Sequence, residues 1–297
     1  MTRATRYRLE ALAAAAAQAL VRRLPRRLAL AAGRTLGRLW GRLDVRHMRI
    51  ARDNLGASFP DWSAQRVRSV ARGVYAHFGA VIFDLLWMAG RTGSELVSLV
   101  DVEGDENVRA AAAPGRGMLY CTAHLGNWEV HGIAHALRYG PVSVVARPLE
   151  NPALDARLVA LRRVTGNAVV YKRKALGSVL RELRAGRSAA MLLDQNVLEE
   201  DGIFVDFFGR KAATTTVAAA LALKTGCALL PAWTELQRNG RYRLRYEPAV
   251  EVRPEAERDA EIARITQELA SRTESWIRRA PEQWLWLHRR WKTQPRP

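Results

Sequence analysis

From about Ser98 onward, short runs rich in β-branched and apolar residues alternate with longer segments of helical periodicity, and this alternation admits few architectures. Eight runs read as strands: 97–102, 118–123, 142–147, 168–171, 189–193, 203–207, 228–233 and 242–247. Between them, 128–139, 152–164, 176–185 and 215–224 have helical spacing, and a long charged helix is expected over 254–279, ahead of a tryptophan-rich tail. The expected class is α/β, a single domain with a central mostly parallel or mixed sheet flanked by helices. No repeat and no Pro/Gly/Ser-rich linker divides the chain. Residues 1–95 read as a helical, membrane-associating arm that forms one structural unit with the α/β part at 96–297.

The arm carries most of the chain's excess charge. Its first 50 residues hold 12 arginines against Glu10 and Asp44, a net +10 of the chain's +18. Over 33–50, Leu36, Leu39, Trp40 and Leu43 share one helical face, and Arg34, Arg38 and Arg42 share another. Such a helix can lie in a membrane interface with its arginines at the lipid phosphates. The commoner use of the same pattern is a helix packed on its domain by the apolar face. No stretch reaches the ~18 uncharged apolar residues of a confident spanning helix. The nearest, 11–21, is alanine-rich and runs straight into Arg22 and Arg23. From Val67 to about Met88 the apolar residues keep helical spacing, and core is the default reading of that segment. Nucleic acid is not the expected anionic partner: zinc-finger spacing, a basic region feeding a heptad repeat and an aromatic RNA-binding strand are all missing. Membrane lipids are. Cys121 and Cys227 are too few for a disulfide framework and fit a reducing compartment.

The densest chemistry lies in 117–139, G-M-L-Y-C-T-A-H-L-G-N-W-E-V-H-G-I-A-H-A-L-R-Y, which reads as strand, turn and helix. It puts His124 at the carboxyl end of a strand, where open α/β sheets keep their sites, and Glu129 in the first turn of the helix. Five residues along one helix lie roughly 140° apart, so the two meet only if the turn folds His124 back over the helix start. Gly126 permits that fold by tolerating positive φ. Glu129 would then take one imidazole N–H and leave the other nitrogen as a general base. A strand-end histidine beside a solvated glutamate is the competing reading. His131 and His135, four apart on one helix face, suggest a zinc pair, but no third ligand is evident and the residue after His131 is Gly132. A Walker phosphate loop, a dinucleotide fingerprint and a G-x-S-x-G elbow are absent. Other strand ends carry Arg147-Pro148, Asp194-Gln195-Asn196 and Phe207-Phe208-Gly209-Arg210, which parallel strands would bring to one rim. Together they suit an acyl chain with a phosphate-bearing head. An Arg147–Asp194 structural ion pair and an ordinary Phe207-Phe208 core are the alternatives.

The sequence resembles the bacterial lipid A biosynthesis acyltransferases. The resemblance rests on N-L-G-A-S-F-P at 54–60, H-L-G-N-W-E at 124–129, R-P-L-E-N-P at 147–152, D-Q-N at 194–196, F-V-D-F-F-G-R at 204–210 and P-E-Q-W-L-W-L-H-R-R-W-K at 281–292. It implies an α/β acyltransferase without metal or other cofactor, working at the cytoplasmic face of the bacterial inner membrane. The donor would be acyl carrier protein or acyl-CoA, and the acceptor a hydroxyl of a lipid A precursor or similar glycolipid. His124 would be the general base and Glu129 the carboxylate that orients it. Asn127, Arg147, Asp194, Gln195, Gly209 and Arg210 would build the substrate site. Family members commonly begin with a clear spanning helix, whereas this chain offers only its alanine-rich segment, so attachment is peripheral or by a single N-terminal pass. Related enzymes act on phosphatidylinositol mannosides, which the motif does not separate from lipid A. A basic membrane-surface or nucleic-acid-binding protein without catalysis is the reading from another class.

Overall fold

The computed structural model describes residues 2–171 and 175–295. Four helices open the chain: α1 (Arg3–Val21), α2 (Arg26–Leu43), α3 (Val45–Ser58) and α4 (Ala64–Met88). Their starts are written locally. The side chains of Thr2, Asp44 and Ser63 accept hydrogen bonds from the backbone N–H three residues on, which satisfies orphan donors at the N-termini of α1, α3 and α4.

How α2 packs decides what its amphipathic pattern means. Gly33, Gly37 and Gly41 form a stripe at four-residue spacing, and this stripe lies against Tyr75 and Gly79 of α4. A Cβ on Gly37 would stand 2.1 Å from the Tyr75 carbonyl oxygen, so the close crossing needs glycine there. With the glycine stripe inward, the leucine stripe faces out: Trp40 is 62% exposed and Leu43 74%. The alternative of a helix packed on its domain by the apolar face is therefore not what is observed, because backbone contact through glycines takes the place of leucine packing.

Helix α4 is the one helix among the described residues long and apolar enough to cross a membrane. It is packed as a core helix, with Val70, Val74, Tyr75, His77, Ala80 and Asp84 all buried. The alanine-rich segment at 11–21 falls in α1, which lies along α4 and along a later helix, α8 (Pro152–Arg163).

After α5 (Gly93–Val97) come β1 (Val100–Glu103), α6 (Asp105–Ala112), β2 (Met118–Thr122), α7 (Trp128–Tyr139) and β3 (Ser143–Ala146). Beyond α8 lie β4 (Ala168–Tyr171), α9 (Ala175–Arg184), β5 (Ala189–Leu192), β6 (Gly202–Phe207) and β7 (Arg210–Thr215). Then come α10 (Val217–Thr225), β8 (Ala228–Leu236), β9 (Tyr242–Tyr246) and α11 (Arg258–Arg279). Seven strands form one mixed sheet in the order β1-β9-β8-β2-β5-β3-β4. The five from β8 to β4 are parallel, and β9 turns antiparallel against β8 with β1 beside it. The α/β class expected from the alternation is the class observed.

Two departures have local causes. The run 203–207 is not in the main sheet, because Phe208 and Gly209 both take positive φ, 54° and 67°, and close a two-residue hairpin that pairs β6 with β7 alone. Helix α10 starts two residues later than expected, since Thr215 belongs to that hairpin. The tryptophan-rich tail enters a core: Trp284, Trp286 and Trp291 pack with Phe59, Phe207 and Phe208.

One detail of register matters for the site. Strand β5 stays paired with β2 as far as Thr122↔Leu192, but with β3 only through Ser143↔Ala189 and Val144↔Ala190. So β3 and β5 part toward their carboxyl ends.

Candidate active site

His124 follows β2 at the carboxyl rim of the parallel strands, in the turn that leads to α7. The turn has no slack. Gly126 has φ 64°, and a Cβ there would lie 1.8 Å from the Thr234 carbonyl oxygen. Its N–H donates to the Gln283 carbonyl, the buried His77 Nε2 donates to its own carbonyl, and Leu285 N–H donates to the His124 carbonyl. Asn127 accepts from Val130 N–H as the N-cap of α7 and donates to the Tyr242 hydroxyl. This buried amide, expected at the substrate site, holds the turn.

The imidazole partner also differs from expectation. His124 Nδ1 lies 2.8 Å from Asp194 Oδ1, and the His124 backbone N–H donates to Oδ2 of the same carboxylate. Trp284 Nε1 donates to Oδ2 as well, at 2.7 Å. Glu129 does not orient His124: its carboxylate forms a two-point pair with Arg162 of α8, at 2.8 and 2.6 Å, and accepts from Trp128 Nε1. The reason is topological. Asp194 follows β5, the strand beside β2, so two parallel strands deliver His124 and Asp194 to adjacent points on one rim. The first turn of α7 points Glu129 at α8. No pattern around Arg162 marked it beforehand.

Burial alone would push the Asp194 carboxyl up, but the His124 charge and the hydrogen bonds from His124 and Trp284 outweigh it and hold the group at about 2. The carboxylate accepts, so Nδ1 carries the proton and Nε2 is left to work. Gln195 Nε2 lies 3.4 Å from that Nε2, and the Trp128 ring stands edge-on to the imidazole at 5.0 Å.

His124, Glu129, Arg147 and Gln195 line one cavity of about 590 Å³, with Trp128 and Arg162. Arg147 is exposed at its rim and makes no ion pair with Asp194. Below them the lining turns aliphatic, through Val145, Met191, Leu193, Val179 and Leu221. Gly209 and Arg210 are not part of this cavity. They sit at the β6–β7 turn, where the Arg210 guanidinium stacks 4.2 Å over Trp291 and lines a separate groove with Arg46, Arg49, Arg289 and Lys292. The hairpin instead reaches the site indirectly, since Phe207 packs on the Trp284 that holds Asp194. His131 and His135 belong to α7 under the cavity. Burial lowers them to about 4 and about 3, and among the described residues no group of three His, Cys, Asp or Glu side chains comes together as metal ligands.

A hydrogen-bonded imidazole and carboxylate at the mouth of an apolar cavity suit acyl chemistry, and the comparisons agree. The family model of the bacterial lipid A biosynthesis acyltransferases matches residues 1–293. A lipid A biosynthesis lauroyltransferase of Escherichia coli is 28% identical over 86% of this chain and 82% of its own. A lipid A biosynthesis acyltransferase of Haemophilus influenzae is 25% identical over 80% of this chain and 73% of its own. A phosphatidylinositol mannoside acyltransferase of Mycolicibacterium smegmatis is 29% identical over 73% and 69% respectively. The chain belongs to the bacterial lipid A biosynthesis acyltransferase family and is an acyltransferase.

Proposed function

We propose that the protein moves a fatty acyl group from the thioester of acyl carrier protein, or of coenzyme A, to a hydroxyl of a phosphorylated glycolipid of the lipid A precursor type. The observation that carries this reading is the His124–Asp194 pair at the mouth of the aliphatic cavity. With the chain in the cavity, the thioester carbonyl lies near His124. The imidazole Nε2 takes the proton of the acceptor hydroxyl as its oxygen attacks that carbonyl, and the Asp194 carboxylate stabilises the resulting imidazolium. Collapse of the tetrahedral intermediate breaks the C–S bond, and the imidazolium returns its proton to the leaving thiolate. Arg147 supplies a cation at the rim for an acceptor phosphate. Glu129 and Arg162 shape the wall, so the role first given to Glu129 passes to Asp194. Mass spectrometry of lipids from cells with and without the protein tests this: the expected result is a phosphorylated glycolipid heavier by one acyl chain. A gain on a phosphatidylinositol mannoside would favour the acceptor of the mycobacterial relatives, and unchanged lipid masses would overturn acyl transfer.

The same reading places the protein on the cytoplasmic face of the inner membrane, attached in the plane of the surface. Leu28, Leu36, Leu39, Trp40 and Leu43 form one exposed stripe of α2, with Arg34, Arg38 and Arg42 beside it, and α1 adds exposed Leu9, Leu12 and Leu20. The double substitution Trp40→Ala/Leu43→Ser should lower binding to phosphatidylglycerol-containing vesicles about tenfold or more in flotation, given ~1.5–3 kcal/mol per buried large apolar side chain. Undiminished flotation would rule out this face.

A further inference from the structure

Part of the cavity wall is polar in a way that the transfer reaction does not use. The cavity crosses the sheet where β3 and β5 part, so its lining includes Val144 and Ala190 on the α7 face and Val145 and Met191 on the opposite face. The limb on the opposite face, under α9 and α10, is aliphatic. The limb under α7 is not. Tyr120 of β2 meets the His135 ring of α7, and by strand alternation Thr122 points to the same face. Thr122 and His131 both line the cavity there, one from the strand and one from the covering helix.

Both side chains are more than nine-tenths buried, with Thr122 7% exposed and His131 5%. Neither the Thr122 hydroxyl nor the His131 ring is hydrogen-bonded to another described residue. His135, one turn along, shows the contrast: its Nδ1 is met by the Tyr246 hydroxyl at 2.7 Å. Burial keeps His131 neutral at physiological pH, so its ring offers one donor and one acceptor, and the Thr122 hydroxyl offers both. A plain hydrocarbon filling this limb would leave these groups unpaired, whereas a hydroxyl on the chain would give them a hydrogen-bonding partner.

Resting on the acyl-cavity reading above, we infer that Thr122 and His131 form a subsite for a hydroxyl carried by the acyl chain. The enzyme would thus favour a hydroxylated acyl group over a plain one of equal length. Calorimetric titration of the full chain with decanoate, 2-hydroxydecanoate and 3-hydroxydecanoate tests this without the transfer reaction. One hydroxy acid should bind about tenfold tighter than decanoate, against the trend of nonspecific apolar partition, where the hydroxyl weakens binding. In His131→Leu and Thr122→Val that advantage should vanish, with decanoate bound no more weakly and the thermal melt near wild type. Tighter binding of decanoate to the wild type, or a hydroxyl preference that survives both substitutions, would remove the subsite and leave the acyl cavity standing. Failure of all three acids to bind would remove the cavity reading and the subsite with it.

Discussion

His124→Ala should abolish acyl transfer while leaving the thermal melt near that of the wild type, because the imidazole is partly exposed and its removal strands only the well-supported Asp194 carboxylate. Asp194→Asn should lower kcat by about 10⁴, the loss seen when a buried carboxylate that fixes an imidazole tautomer becomes an amide. Glu129→Gln should be mild by comparison, since Glu129 does not meet His124. The pH dependence separates the roles further. Asp194 is held at about 2, below its ordinary value near ~3.9, so the stability it contributes is present above that ordinary value and is lost as pH falls through about 2. It is therefore ionised throughout any working range. Near-full turnover by His124→Ala in a thioester-to-lipid assay would defeat the mechanism.

The sequence exposed one half of this pair and hid the other. His124 was legible because an apolar run, a Gly-Asn turn and a helical run place it at a strand end. Glu129 was the natural partner by proximity, whereas the actual partner lies 70 residues on. That pairing follows from β5 lying beside β2, and sheet order is set by how all the crossovers pack, not by any local run. Asp194, Gln195 and Arg147 were legible as strand-end polar residues for the same reason as His124. Arg210 was misplaced because its run resembles the others, yet a two-residue turn diverts it into a separate hairpin. In α2 both stripes were visible, but only contact with α4 shows that the glycines, not the leucines, make the interface.

Arg26→Ala should cost about 3–5 kcal/mol in urea unfolding, because it leaves a carboxylate without its cation in the core. Asp84 of α4 is fully buried and is gripped at two points by Arg26, with Nε to Oδ1 at 2.8 Å and Nη2 to Oδ2 at 2.7 Å. Arg26 also donates to the Gly240 carbonyl at the turn between β8 and β9. Burial tends to lower the guanidinium's proton affinity, but Asp84 more than reverses this. The network does not stop at the pair. Tyr242 donates to Asp84 Oδ2 at 2.6 Å, Asn127 donates to the Tyr242 hydroxyl at 3.0 Å, and Asn127 caps the helix that follows His124. So the first turn of α2 is tied through α4 and β9 to the turn that carries His124. Two readouts distinguish this network from a simple buried charge pair. Arg26→Leu/Asp84→Leu should recover part of the stability lost in Arg26→Leu, since an apolar pair leaves no unpaired charge. Its kcat should nevertheless stay below wild type at temperatures where it is fully folded, because Tyr242 has lost the acceptor that aims it at Asn127. Recovery of both stability and kcat would confine Arg26 and Asp84 to packing the arm against the sheet.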